Sequence, residues 1–143
     1  LFVETTGTDA DFVVKVIDVF PNDEPEWQEP DEKYLPDALS GYQMMVRGEV
    51  FRGKFRNSFE LPEAFVPGEV ARIEYDTPHI LHTFKAGHRI MVQIQSSWFP
   101  LVDRNPQTFV DIYNASEADF QAATHTIHRS SDYPSRITMR RLD

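Results

Sequence analysis

"DFVVKVIDVF", Asp11 to Phe20, is the stretch on which the reading of this chain turns. β-Branched residues dominate it and Pro21-Asn22-Asp23 closes it, the signature of a strand. Side chains alternate between the two faces of a strand. Phe12, Val14, Val16 and Phe20 therefore share one face, and Val13, Ile17 and Val19 share the other. After the opening Asp11, Lys15 and Asp18 interrupt the apolar character. A strand with one solvated face would be polar on that side. Apolar on both, this one is predicted to lie in the middle of a β-sandwich.

Working outward, "LFVETT" (1–6) reads as a strand already under way. "PNDEPEWQEPDEKYLPDALSG" (21–41) holds four prolines and many acids with no steady period, which predicts a long loop. Loops of that length are uncommon in compact domains. This one reads as a surface excursion, with a lid as the alternative. "YQMMVRGEVFRGKFR" (42–56) alternates imperfectly around Gly48 and Gly53, as short strands with a bulge would. In "VARIEYDT" (70–77), Ala71, Ile73 and Tyr75 point one way. "LHTFKAGHRIMVQIQSS" (81–97) reads as strand, turn at Ala86-Gly87, and strand, with Ile90, Val92 and Ile94 facing the core. "SEADFQAA" (116–123) is the one candidate helix, with Ser116 and Asp119 spaced as a weak capping box. "ATHTIHRS" (123–130) and "SRITMRRLD" (135–143) read as closing strands around a turn at Asp132-Tyr133-Pro134. Six to nine short strands separated by turns predict an all-β fold, an antiparallel β-sandwich or jelly roll. Phe12, Val14, Val16, Ile73, Ile90, Val92 and Ile94 are its predicted core.

The chain has 143 residues, enough for one domain with a real core. It has no cysteine, so disulfides and thiolate metal sites are excluded. With 23 acidic and 14 basic residues its net charge is −9. An acidic surface repels phosphate backbones, and no basic stripe is present, so nucleic acid is excluded as a partner. No apolar run is long enough to span a membrane. The first residues have neither the basic nor the apolar segment of a signal peptide.

A serine hydrolase commonly carries its nucleophile in G-x-S-x-G. None of the serines (Ser40, Ser58, Ser96, Ser97, Ser116, Ser130, Ser131, Ser135) has that glycine pair, so no catalytic residue is assigned. His125 and His128 are three apart, as are His79 and His82, a spacing that converges on a helix but diverges on a strand. His88, beside Gly87, reads as a turn residue bonding the backbone. These histidines therefore read as ordinary strand and turn residues. No metal ligand and no cofactor is assigned, with a structural cation in the loop from Asn22 to Asp37 kept open. Trp27, Tyr34, Tyr42, Trp98 and Phe99 are the aromatics that would serve a carbohydrate-binding module.

Four stretches carry a family resemblance: "TDADFVVKVIDVFPND" (8–23), "GEVFRGKFRNSFELPEAFVPGEV" (48–70), "HTFKAGHRIMVQIQSSWFPLVDRNPQT" (82–108) and "YPSRI" (133–137). Together they resemble the C-terminal jelly-roll domain of the X-Pro dipeptidyl-peptidase and cocaine-esterase family of serine hydrolases. The nearest branch is the α-amino acid ester hydrolases, described as glutaryl-cephalosporin acylase-like. The resemblance runs through nearly the whole chain and implies a galactose-binding-like jelly roll. Residues 1–143 would be its C-terminal, partial portion, incomplete on the N-terminal side and leaving a sheet edge open to association, including with a second copy. It implies an upstream α/β-hydrolase domain that holds the Ser, Asp and His triad, and a secreted or periplasmic setting. The implied role is that of a non-catalytic accessory domain that buttresses the catalytic domain of a serine acyl hydrolase. A free-standing carbohydrate-binding β-sandwich is the alternative. Within "QSSWFPLVDRNPQT" (95–108), Trp98, Phe99, Asp103, Arg104 and Asn105 are the candidate contacts to that catalytic domain. An internal loop and direct substrate contact are the other readings of the same residues, and Asp103 and Asn105 can accept turn backbone N–H groups.

Overall fold

The valine-rich run forms its strand. In a computed structural model that describes residues 1–23 and 39–140, β2 spans Asp11–Val19. Every residue of it is buried except Lys15, which is half-buried. Around it are β1 (Phe2–Thr5), β3 (Gln43–Arg52), β4 (Ala71–Arg72), β5 (Arg89–Gln95) and β6 (His125–His128). Three single turns of 3-10 helix, at Gly53–Phe55, Ile112–Asn114 and Glu117–Asp119, are the only helical elements among the described residues. The strands form two three-stranded sheets, β4-β1-β6 and β3-β2-β5. Each pairing whose register is resolved is antiparallel. The chain is thus all-β, with the sheet content of a β-sandwich, as the sequence predicts. The predicted loop at 21–41 and the open cation site lie largely outside the described residues.

By its contacts the chain divides into two units. The first comprises Leu1–Phe12, Val50–Asp76 and Ser96–Asp143. Its core gathers Val3, Ala10, Phe12, Phe51, Phe65 and Ile73, all buried. Phe12 meets Phe65 at 6.4 Å between ring centres and the edge of His125 at 6.0 Å. Phe51 stacks on Tyr75 at 4.8 Å. Gly53 is forced by space: a Cβ there would lie 2.6 Å from the Phe65 ring and 2.8 Å from the Ala10 carbonyl oxygen. That carbonyl accepts the Gly53 N–H at 2.8 Å. Arg56 organises the neighbouring loop, donating to the carbonyls of Glu63 (2.7 Å) and Ala64 (2.8 Å) and lying 4.3 Å over the Phe65 ring.

The second unit comprises Val13–Glu49 and Thr77–Gln95. Here β5 pairs with β2 in a register that sets Ile94 opposite Val14, Val92 opposite Val16 and Ile90 opposite Asp18. Directly opposed residues point to the same side. Ile90, Val92 and Ile94 therefore continue the Val14–Val16 face, as their period predicts.

Several expectations are corrected. Ile90 and Val92 are 52% and 40% exposed, and Ile94 is half-buried. Periodicity fixes which side chains share a face, not whether anything covers that face. Among the described residues β5 pairs only with β2, at the edge of the described sheet. β3 is one ten-residue strand that runs through Gly48, where separate short strands were expected. Residues 82–85 and 135–140 do not form the strands predicted for them; an isolated bridge, Arg129 to Pro134, lies just before the second of these stretches. The candidate helix is one 3-10 turn, yet its predicted box forms: the Asp119 carboxylate accepts from the Ser116 N–H at 2.7 Å and its hydroxyl at 2.8 Å. Phe12, Val14, Val16 and Ile73 are buried as predicted.

The contrast within the predicted core is measurable. Phe12→Ala or Ile73→Ala should cost about 2–5 kcal/mol in urea unfolding, because each leaves a cavity. Val92→Thr on the open part of β5 should stay within about 0.5 kcal/mol. Equal losses at Phe12 and Val92 would show that β5 is covered.

Candidate functional site

The segment after β5 is a loop with an outer and an inner half. Trp98, half-buried, accepts the Val102 N–H on its carbonyl at 3.0 Å, which closes the outer half. Phe99 and Leu101 project, 64% and 69% exposed. The Arg104 guanidinium lies 4.7 Å over the Phe120 ring and 5.9 Å from the Phe99 ring centre, with Glu117 at 3.5 Å. Asp103 is exposed and 3.9 Å from Arg52. This half presents an apolar pair with a planar cation held beside it.

The inner half turns into the first unit. Asn105 is buried; its amide donates to Asp11 at 2.8 Å, and its carbonyl oxygen accepts the Gln107 N–H at 2.8 Å. Its predicted turn role therefore holds, but its place among the docking candidates does not. Its polar atoms are engaged inside the fold and its surface is covered. Gln107, at φ 64°, aims its carbonyl at the Thr8 N–H, 3.0 Å away. A Cβ on Gly7 would strike that carbonyl at 2.4 Å.

Asn105 belongs to a buried polar group that sequence reading missed. Asp11 lies 3.6 Å from Arg52, and Asp9 lies 3.8 Å from Lys54. Lys54 also donates to the Val110 carbonyl at 3.2 Å. Burial pushes the Asp11 carboxyl up to about 6, against the opposing pull of Asn105 and Arg52. Burial likewise raises Asp9, with the Ala10 N–H and Lys54 acting in the other direction. A paired carboxylate with a raised pKa resembles a general acid. Both carboxylates are buried, however, and cannot meet a substrate. Their chemistry is structural: two acids and two bases that neutralise one another and fix the 105–110 segment.

A second cluster lies in the other unit. Asp18, buried on the Val14–Val16 face of β2, binds His82 Nε2 at 2.9 Å and His88 Nδ1 at 2.8 Å, one ring to each carboxylate oxygen. His88 is also 4.6 Å from the Phe20 ring. The His88 ring, nearly buried, thus makes a carboxylate contact that its place beside a turn glycine does not announce. Gly87, at φ 88°, makes the turn that delivers it. Burial works to raise Asp18, but the two imidazole hydrogen bonds and the histidine charges outweigh it, and its carboxyl is held below the usual range. The available signal was Asp18 itself, a lone acid on an apolar face 64 and 70 positions from its partners. His128 sits 3.2 Å from Glu4, and burial lowers His125. Among the described residues no group of three or more such side chains is arranged to hold a metal ion.

Asp11 gives a pH test with a definite sign. Its folded pKa is raised from 3.8 to about 6, so its contribution favours folding below 3.8 and is lost as pH rises through 6. The span corresponds to about 3 kcal/mol. Urea unfolding of Asp11→Asn against the parent chain from pH 4 to pH 7 should show the balance shifting toward the variant by up to that amount. A pH-independent difference would mean that Asp11 titrates normally.

With this geometry in place, comparisons with known proteins are informative. Residues 1–138 match the family described as the X-Pro dipeptidyl-peptidase C-terminal non-catalytic domain. The chain is 30% identical over 139 residues to the cocaine esterase of Rhodococcus sp. (strain MB1 Bresler), covering 97% of this chain and 21% of the esterase. Among solved structures, an aminopeptidase from the marine sediment archaeon Thaumarchaeota archaeon superposes with a TM-score of 0.84 at 46% identity, over 94% of this chain and 21% of that one. An α-amino acid ester hydrolase superposes with a TM-score of 0.76 at 40% identity, over 87% of this chain and 19% of that one. The chain therefore spans about a fifth of the length of each of these relatives. A match over nearly its entire length places the chain in the X-Pro dipeptidyl-peptidase C-terminal non-catalytic domain family.

Proposed function

We propose that this chain is the accessory β-domain of a serine acyl hydrolase and that it buttresses the catalytic domain. The observation that carries this reading is the coincidence of a non-catalytic family with relatives that are all hydrolases and about five times longer. An esterase, an ester hydrolase and an aminopeptidase share one reaction type, transfer of an acyl group to water from an alcohol or amine. That reaction uses a nucleophile, a base and an oxyanion hole. The catalytic domain supplies all three in this reading. The buried acids of this chain are held in structural contacts, while Phe99 and Leu101 stand exposed.

The outer half of the loop after β5 is a docking contact in this reading. Phe99 and Leu101 supply the apolar anchor, with Trp98 behind them. Arg104, ordered over Phe120, supplies a directional charge on the rim, joined by Asp103. Aromatic and arginine side chains are enriched in such contacts. A loop already closed by its own hydrogen bond loses little freedom on docking.

Two measurements test the reading. A fluorophosphonate probe on the full-length parent should label a serine outside residues 1–143, and the 143-residue chain alone should not hydrolyse p-nitrophenyl esters. Labelling of a serine within these residues would overturn the proposal. In the full-length parent, Phe99→Ala should lower the thermal midpoint by a few degrees, on the order of 1–2 kcal/mol of lost contact, with kcat held within about twofold. An unchanged midpoint would remove Phe99 from the interface.

A further inference from the structure

A different surface, in the second unit, carries an inference that rests on the accessory-domain reading and extends it. On β5, Ile90 and Val92 stand open on the face they share with Val14 and Val16, which are buried. The preceding loop adds Leu81, 90% exposed, and Ile80. Single exposed apolar residues are ordinary. Two stand on one face of one strand, and the loop that leads to that strand in the sequence exposes two more.

The loop has no regular secondary structure from Thr77 to Lys85. The Asp18 clamp helps to hold it: His82 and His88 both bind one carboxylate on β2. Asp18 stands directly opposite Ile90. The clamp thus ties the base of the loop to the strand pair that carries the open apolar face. A loop fixed in advance presents Ile80 and Leu81 at low entropic cost to a partner.

Two observations choose the occupant. About four fifths of each relative's polypeptide lies outside the region this chain matches, which provides a covalently linked partner. A second copy would bring together two chains of net charge −9, which repel. We infer that the Ile90–Val92 face of β5 and the Ile80–Leu81 loop form a docking surface for the catalytic domain of the same polypeptide, and that the Asp18–His82–His88 clamp holds that loop in its docking shape.

The test uses the full-length parent with p-benzoylphenylalanine at Leu81, a position whose exposure tolerates the change, and separately at Val92. Irradiation should yield intramolecular adducts joining these positions to peptides outside residues 1–143. His82→Gln together with His88→Gln should reduce the Leu81 adduct at least threefold while leaving fluorophosphonate labelling unchanged. Adducts only between two copies, adducts confined to residues 1–143, or no adduct at either position would each overturn the inference. An unchanged Leu81 adduct in the double variant would overturn the role of the clamp. Serine labelling in a parent that gives no adduct would leave the accessory-domain reading standing and remove only this surface. A parent with no reactive serine would remove both.

Discussion

A strand that is buried on both faces and carries a carboxylate near each end can exist only if the rest of the chain answers both charges. That is the constraint β2 imposes. Asp11 and Asp18 are 2% and 1% exposed. An unpaired buried carboxylate costs several kcal/mol. Each is met from far along the sequence, Asp11 by Asn105 and Arg52 and Asp18 by His82 and His88. The two solutions differ in strength. At Asp11 a neutral amide at 2.8 Å and a guanidinium at 3.6 Å do not offset burial, and the carboxyl rises to about 6. At Asp18 two imidazoles at 2.9 and 2.8 Å more than offset it, and the carboxyl falls.

These answers also shape two loops. Asn105, in holding Asp11, fixes the inner half of the segment that exposes Phe99 and Leu101 further out. His82 and His88, in holding Asp18, fix the segment that exposes Ile80 and Leu81. In both places polar groups are turned inward and apolar groups are left outside. A catalytic surface has the reverse disposition, with ionisable groups reaching a cleft. The buried acids Asp9, Asp11 and Asp18 have their partners inside the fold. A shifted pKa marks a functional site only when the group can also be reached.

What was legible in the sequence follows the range of the interactions. β2 was legible because β-branched density and two-sided apolarity are local. The Ser116–Asp119 box and the Gly87 turn were legible for the same reason, since spacing and positive φ need no distant partner. The family was legible from four stretches matched in order. The Asp11–Asn105 pair spans 94 positions and the Asp18 clamp 64 and 70, and nothing local to either residue names its partner. The Asp18 contact of His88 was not legible because a histidine beside a turn glycine has a sufficient local use. Asn105 was half-read: its turn bond to Gln107 is local, but its burial depends on Asp11. On β5 the face was read correctly and its burial was not, because coverage belongs to the surroundings of a strand.

The opening of β5 also bears on how such a domain exists outside its parent. An apolar face at the last strand of a sheet is an aggregation hazard unless something covers it or charge keeps copies apart. The acidic balance of this chain provides the second remedy: at net charge −9, like chains repel before their faces meet. Repulsion between copies does nothing to hide Ile90 and Val92 from water, and each exposed aliphatic group forgoes burial worth roughly 25 cal/mol per Å². Covering the same face within one polypeptide recovers that burial without the translational cost of bringing two molecules together. A face left apolar, beside a loop pinned by a buried carboxylate, is therefore better suited to a tethered neighbour than to free diffusion.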